Sequence, residues 1–217
     1  MEKAVYNFNE LMKMMNKMRI NKNLYYRIDK DTISGMDEFM TMAIAGRLPP
    51  ISGSISNLII NSEVLDILKK IDTEILEIEK TNEKIIFSGD DFIYETYDIE
   101  EIEMPFRLSD NNMIEIENTK IIEIESDIIE PFKIPITSDV IFETDGSHLK
   151  IIFGDEINKL IKKVPFKTKK EMSVKIDYEK LKFIEKERED IELGIFDGGI
   201  IVRTQNPDCI FLILGKS

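Results

Sequence analysis

The feature that most constrains the fold of this chain is an internal repeat with an offset of about 115 residues. The segments Leu65 to Ile99 and Glu179 to Leu214 both read as a short basic helix followed by three strands. A tight turn separates the first two strands, at Thr81-Asn82-Glu83 in one copy and Asp197-Gly198-Gly199 in the other. Glycine suits such a turn because it tolerates positive φ. The repeat predicts two halves of similar fold.

The parts ahead of these segments also correspond. Hairpin turns are predicted at Asp29-Lys30-Asp31 in the first half and at Asp145-Gly146 in the second. A strong amphipathic helix, NFNELMKMMNKM, opens the first half, and its apolar face is formed by four side chains at spacings of three and four: Phe8, Leu11, Met15 and Met18. Its counterpart, SDIIEPFKI, is short and interrupted by Pro131.

One segment carries two conflicting patterns. DEINKLIKKV has its apolar residues at helical spacing, whereas the repeat aligns it with the strand-like stretch Phe39 to Arg47. We follow the repeat and predict a strand. Each half then reads helix, strands, helix, strands, which is an α+β fold duplicated along the chain. The boundaries that follow are a first domain over residues 1–100, a connector over residues 101–117 and a second domain over residues 118–217.

The composition excludes some classes of protein and some kinds of site. The chain is 42% hydrophobic and 33% charged, without an apolar run of the roughly 18 residues that a membrane helix needs. Its N-terminus has no signal-peptide pattern, so a cytoplasmic location is expected, or the host cytoplasm if the protein is viral. Its only cysteine, Cys209, lies in the apolar run CIFLIL and excludes an internal disulfide and a cysteine-based zinc site.

No catalytic pattern is present. The only histidine, His148, follows a predicted turn, and Gly89-Asp90-Asp91 is better explained as a hairpin turn than as a metal site. We therefore expect no enzymatic activity, no cofactor and no metal. The net charge of −13 argues against nucleic-acid binding unless the basic residues cluster on one face.

The element order, the repeat and the Gly35-Met36-Asp37 turn together resemble one family, the DNA polymerase sliding clamps or processivity factors. The likeness is to the two-domain type of proliferating cell nuclear antigen in archaea and eukaryotes and of T4-like phages. FIYETYDIEE stands where that family has the last strand of its first domain, running into the interdomain connector. The resemblance implies a ring of six domains around duplex DNA, here a homotrimer with subunits joined head to tail. It also implies as partners a DNA polymerase and a clamp-loader ATPase.

The resemblance further implies that basic helices face the DNA. The candidate DNA-binding residues are Lys13, Lys17, Arg19, Lys22, Lys69, Lys70, Lys133, Lys180, Lys182 and Lys186. The alternative for each helix is that its lysines are only solvated. Sequence-independent phosphate contacts of this kind are weak and screened by salt, which suits sliding.

A peptide-binding pocket for client proteins is also implied. The residues that would line it are Met36, Met40, Met104, Pro105, Phe106, Leu108, Leu212 and Leu214. Methionine suits such a pocket because its flexible side chain repacks around different partners. The alternative is that Met40 and Met42 are core residues on one face of a strand, and that Asp37 only shapes its turn.

Two oppositely charged segments are candidates for the subunit interface that the resemblance implies. DDFIYETYDIEE is acidic and contributes Tyr94, Glu95 and Tyr97; NKLIKKVPFKTKK is basic and contributes Lys159, Lys162 and Lys163. Pairing of such edges satisfies backbone groups and matches charge. The rival use of the lysines is direct contact with DNA or another acidic partner. The rival function for the whole chain is a non-catalytic binding or viral assembly protein that keeps the duplicated fold without encircling DNA.

Overall fold

The chain divides into two compact units, Met1–Phe106 and Arg107–Ser217, here called unit 1 and unit 2. The computed structural model describes residues 1–18, 25–36, 41–97, 119–125, 139–154, 159–182, 184, 190–205 and 208–216. The predicted connector, residues 101–117, lies outside these ranges, so the predicted domain boundaries stay a prediction.

Unit 1 contains two helices and nine strands in its described residues. In chain order they are β1 (Glu2–Asn7), α1 (Phe8–Met18), β2 (Tyr25–Asp29), β3 (Thr32–Met36), β4 (Met42–Arg47), β5 (Ser52–Ser54), β6 (Leu58–Asn61), α2 (Ser62–Leu68), β7 (Ile75–Lys80), β8 (Lys84–Ser88) and β9 (Ile93–Tyr97). Hydrogen bonding joins them antiparallel in the orders β5-β1-β7-β8-β9 and β4-β3-β2-β6.

Unit 2 repeats this arrangement. Its strands are β10 (Ile121–Ile124), β11 (Asp139–Thr144), β12 (His148–Gly154), β13 (Lys159–Pro165), β14 (Met172–Asp177), β15 (Ile191–Phe196), β16 (Gly199–Gln205) and β17 (Asp208–Leu214). They pair antiparallel in the orders β10-β15-β16-β17 and β13-β12-β11-β14, which match β1-β7-β8-β9 and β4-β3-β2-β6 of unit 1 strand for strand. The predicted α+β duplication is confirmed.

The core of unit 1 lies beneath α1. This helix contacts β1, β3 and β4, and so touches both groups of strands. Its four predicted apolar residues are buried, and Met14 is buried beside them. Tyr6, Tyr26 and Phe87 are each fully buried on the strands, and each large apolar side chain so buried contributes about 1.5–3 kcal/mol. The amphipathic pattern of the first helix was therefore interpreted correctly.

The core of unit 2 also contains large aromatic side chains that are buried on its strands. Phe142, Phe153 and Phe211 have no exposed surface, and β11 alternates buried and half-buried residues along its length. The segment with conflicting patterns is a strand, β13, as the repeat predicted. Of the second helix predicted for this half, the described residues form a 3-10 helix over Tyr178–Leu181 and a further 3-10 residue at Ile184, while residues 183 and 185–189 lie outside the described ranges.

Candidate functional site

The first basic surface lies on α1. Because Phe8, Leu11 and Met15 turn towards the strands, Lys13 is exposed and Lys17 is half-buried on other faces of the helix. Lys17 also lies in the last turn, where a cation complements the helix dipole. The helix therefore carries both lysines outside its packed face, and their contact with DNA stays a prediction.

The second basic surface follows α2. Asn61 begins this helix by accepting a hydrogen bond from the Val64 amide at 3.0 Å, and Lys69 ends it. Lys69 and Lys70 are both exposed, and their amides donate to the carbonyls of Leu65 and Ile67 at 3.0 Å. A fixed backbone and exposed ammonium groups together suit loose contact with phosphates.

The remaining predicted DNA contacts divide into two groups. Lys180 and Lys182 lie at the 3-10 helix of unit 2, where Lys182 pairs with Glu179 at 2.5 Å between Nζ and Oε1. This carboxylate lowers the positive potential that the site offers to phosphate. Arg19, Lys22, Lys133 and Lys186 lie outside the described residues, so their roles stay predictions.

The acidic candidate for the subunit interface is an edge strand. Among the described strands of unit 1, β9 has one neighbour, β8, and Ile93 and Tyr97 are 74% and 79% exposed on it. Glu95 lies between them and accepts a hydrogen bond from Lys84 at 2.7 Å, which raises the pKa of the lysine. On the other face, Tyr94 stacks on Phe87 with ring centroids 6.0 Å apart.

The basic candidate is also an edge strand. β13 pairs with one strand, β12, in the described part of unit 2. Lys159, Ile161 and Lys163 alternate with half-buried residues and are exposed, while the ammonium of Lys162 lies 5.8 Å from the ring of Phe153 on the half-buried face. Both predicted interface segments therefore end a group of strands within their own unit.

Few of the predicted client-pocket residues are described. Met36 ends β3 half-buried in unit 1, whereas Leu212 is buried and Leu214 is 36% exposed on β17 of unit 2. Met40, Met104, Pro105, Phe106 and Leu108 lie outside the described residues. Met42 is 1% exposed, which favours the core interpretation for that methionine. The pocket stays a prediction.

The hairpin turn at His148 explains the polar residues around it. The Asp145 carboxylate accepts hydrogen bonds from the amides of His148 and Ser147 at 2.8 and 3.1 Å and from the Ser147 hydroxyl at 3.0 Å. These amides, with the Lys150 ammonium, hold the pKa of Asp145 well below its usual range. The Ser147 hydroxyl thus contacts both the Asp145 carboxylate and His148 Nδ1. In a catalytic triad, by contrast, the serine and the carboxylate bind opposite ring nitrogens of the histidine. The arrangement caps a turn.

Sequence reasoning missed a cleft of about 240 Å³ in unit 2. Its apolar lining includes Phe166, Met172 and Phe196, and its charged lining includes Lys120 and Lys170. The ammonium of Lys120 lies 5.5 Å from the Phe166 ring. These residues come from separate elements, so their spacing along the chain offered no signal.

Within the described ranges no group of three or more acidic, histidine or cysteine side chains is placed to hold a metal ion. The helices found there are also too short or too polar to cross a bilayer.

DNA polymerase sliding clamps are among the solved structures that this chain resembles in fold. The chain matches a sliding clamp of Bacillus subtilis with a TM-score of 0.75 and 15% identity over 100% of its own length and 65% of that chain. It matches a putative DNA polymerase III beta subunit of Eubacterium rectale with a TM-score of 0.77 and 13% identity over 100% and 66%. A Helicobacter pylori beta clamp bound to a DNA ligase peptide gives 0.74 and 11% over 99% and 67%.

The chain therefore has the DNA-clamp fold that its sequence resembles, and it spans about two thirds of the length of these clamp chains. These three structures are bacterial, so the expected likeness to the two-domain archaeal, eukaryotic and phage type stays a prediction. No family model matches the sequence, and no curated protein matches it.

Proposed function

We propose that this protein is a sliding clamp, a non-catalytic processivity factor that encircles duplex DNA and tethers a polymerase and other replication proteins to it. The observation that carries the proposal is the agreement of both units, over the full chain, with the fold of solved clamps at TM-scores near 0.75. Basic residues on α1 and after α2, in a protein of net charge −13, support contact with phosphate.

The ring is proposed to contain three identical chains joined head to tail. Each chain has two units of one topology, and among the described strands each unit has an edge strand within a charged segment: β9 lies in the acidic DDFIYETYDIEE and β13 in the basic NKLIKKVPFKTKK. A heterologous contact between such edges closes into a ring when its rotation closes. A clamp-loader ATPase would open or assemble this ring on DNA. Light scattering at low and moderate salt should give three times 25.2 kDa.

Processivity tests the DNA contact. A variant with Lys13→Glu, Lys17→Glu and Lys69→Glu should keep the oligomeric mass and lose most of the lengthening of polymerase products, because like charge repels phosphate. The matched control carries the same change in charge at three exposed lysines elsewhere, Lys30, Lys167 and Lys169. Equal loss in the control would mean that the basic segment after β13, rather than the helices, contacts the DNA.

The rival function, a binding or assembly protein that does not encircle DNA, makes the opposite prediction for both measurements. Such a protein stays a monomer at every concentration, or it forms oligomers in which the helix lysines have no effect on polymerase products. The client pocket is proposed to receive short peptides from replication proteins, by analogy with the Helicobacter pylori clamp bound to a ligase peptide. Met36→Glu should then weaken peptide capture without changing the oligomeric mass.

A further inference from the structure

The resemblance implies that β9 of one copy pairs with β13 of the next; we infer that this pairing has a single antiparallel register, in which Glu95 lies opposite Lys163 and Tyr97 lies opposite Ile161. The inference rests on the proposed ring and specifies how its subunits recognise each other. Both strands are edges in their own unit, so each has a row of backbone donors and acceptors that a second copy can satisfy.

The alternation of exposure defines the registers that are possible. On β9 the exposed row is Ile93, Glu95 and Tyr97; on β13 the exposed residues are Lys159, Ile161, Lys163 and Pro165. Keeping both exposed rows on one face requires shifts of two residues, because a shift of one moves every side chain to the other face.

The inferred register matches both faces. On the exposed face it places Ile93 opposite Pro165, Glu95 opposite Lys163 and Tyr97 opposite Ile161, which gives two apolar pairs around one ion pair. On the half-buried face it places Tyr94 opposite Val164 and Thr96 opposite Lys162. Aromatic and apolar neighbours and opposite charges are the cross-strand pairs that stabilise sheets.

The neighbouring registers give less favourable pairs of side chains. A shift of two residues in one direction places Glu95 opposite Ile161 and Tyr97 opposite Lys159; the other direction places Glu95 opposite Pro165 and Tyr97 opposite Lys163. Only a shift of four residues restores an ion pair, between Glu95 and Lys159, and it pairs no more than three residues of β9 as bounded here. Antiparallel direction follows the described strand pairs, every one of which is antiparallel.

Neither edge pairs well with itself. Two copies of β13 aligned about Ile161 place Lys159 opposite Lys163, and two copies of β9 aligned about Glu95 place the two carboxylates opposite each other. Like charges directly opposite destabilise a sheet. The edges therefore oppose a two-fold dimer and favour the head-to-tail contact that a ring needs.

The charges needed for this contact are available. Within unit 2, Lys163 lies opposite Lys150, whose ammonium is 3.1 Å from Asp145, and Lys163 itself forms no ion pair in the described part of the chain. Glu95 bonds Lys84 through Oε2, which leaves Oε1 for a second donor. A partner Glu95 would relieve the like-charge pair at Lys163 and Lys150.

A charge swap tests the register in the full chain. Lys163→Glu should raise the protein concentration at half-assembly, measured by light scattering, by about tenfold. Lys159→Glu is the matched control, an exposed lysine four residues earlier on the same strand, and should have a clearly smaller effect. Glu95→Lys should weaken assembly like Lys163→Glu, and the double variant should recover it. Equal effects of Lys163→Glu and Lys159→Glu, or no recovery in the double variant, would overturn the register.

Disulfide trapping separates the register from the ring. Under mild oxidation, Thr96→Cys with Lys162→Cys should give covalent oligomers, because these residues lie directly opposite and a disulfide needs Cβ atoms about 3.5–4.5 Å apart. Thr96→Cys with Val164→Cys places the two cysteines diagonally rather than directly opposite each other, and this pair should give far fewer covalent oligomers. A trimeric mass with stronger trapping in the second pair overturns the register and keeps the clamp proposal. A strictly monomeric unsubstituted chain overturns both.

Discussion

At the scale of single residues, Tyr6 places a hydroxyl group in the buried core of unit 1. Its side chain on β1 has no exposed surface, its hydroxyl has no hydrogen-bond partner among the described residues, and burial raises its pKa to about 12. A buried hydroxyl without a partner costs about 1–3 kcal/mol. The aromatic ring, rather than the hydroxyl, is what the core uses.

Tyr6→Phe should therefore stabilise the protein. We expect a gain of about 1 kcal/mol in the free energy of unfolding at pH 7, measured by urea denaturation. The gain should grow by about 1 kcal/mol between pH 9 and 11, because the unfolded tyrosine ionises near its ordinary value while the folded one does not. Tyr97→Phe, at a side chain 79% exposed, is the control and should change stability by no more than about 0.5 kcal/mol. Loss of stability in Tyr6→Phe would mean that the hydroxyl has a partner.

Substitutions at two glycines with positive φ can measure the cost of backbone strain separately from the cost of a steric clash. Gly53 on β5 has φ +76°, and a Cβ there would lie 2.1 Å from the carbonyl oxygen of Lys3 on β1. Gly198, in the turn between β15 and β16, has φ +97° but open space around it. Gly198→Ala should cost about 1–2 kcal/mol from conformation alone. Gly53→Ala should lower the free energy of unfolding by more and should increase amide hydrogen exchange in β5. Equal losses for the two substitutions would show that β5 moves to accommodate the added methyl group.

At the scale of elements, the repeat predicted more than local periodicity did. The apolar residues of β13 follow helical spacing, yet the segment is a strand because it occupies the edge that β4 occupies in unit 1, and pairing with β12 decides its conformation. The basic segment around Lys182 has helical character in its sequence, and its described residues form a 3-10 helix over Tyr178–Leu181 rather than an α-helix. Short segments depend on their tertiary neighbours, and these are not visible in the sequence.

The C-terminal segment after β17 is held by a small ionic cluster. The Lys216 amide donates to the Lys175 carbonyl at 2.8 Å, and its ammonium contacts Asp139 at 2.5 Å and Asp177 at 3.4 Å. Lys175 contacts the same Asp139 carboxylate at 2.9 Å. The two lysines lower the pKa of Asp139, so the contribution of this carboxylate is lost in acid, as pH falls through the depressed value.

Lys216→Ala should cost about 0.5–1 kcal/mol at neutral pH. The difference in free energy of unfolding should shrink in high salt, because the ammonium is partly exposed, and it should vanish when Asp139 is protonated. Lys169→Ala, at an exposed lysine without an ion pair in the described chain, is the control. Salt-independent loss in Lys216→Ala would indicate that packing of the stem, not charge, holds the segment.

At the scale of the whole molecule, the net charge of −13 is compatible with DNA binding because charge is separated by position. Lysines lie on α1, after α2 and along β13, whereas Asp90, Asp91 and Glu95 make the segment around β9 acidic. The sequence predicted these clusters, but it could not show that β9 and β13 are edges, since an edge is defined by the absence of a neighbouring strand in space. A small number of phosphate contacts would give weak direct affinity, so in the proposed clamp we expect retention on DNA to depend on closure of the ring.

Retention should therefore depend on the topology of the DNA. If charged edges close the ring, protein dissociated at high salt and then diluted with nicked circular plasmid should reassemble around some of the DNA. The trapped protein should co-elute with the plasmid in gel filtration at moderate salt, and one restriction cut should release most of it, since a ring slides off a free end. Lys163→Glu should trap little, while Lys159→Glu should trap nearly as much as the unsubstituted chain. Retention that is equal on circular and linear plasmid would mean that the protein binds DNA directly through its basic surfaces rather than by encircling it.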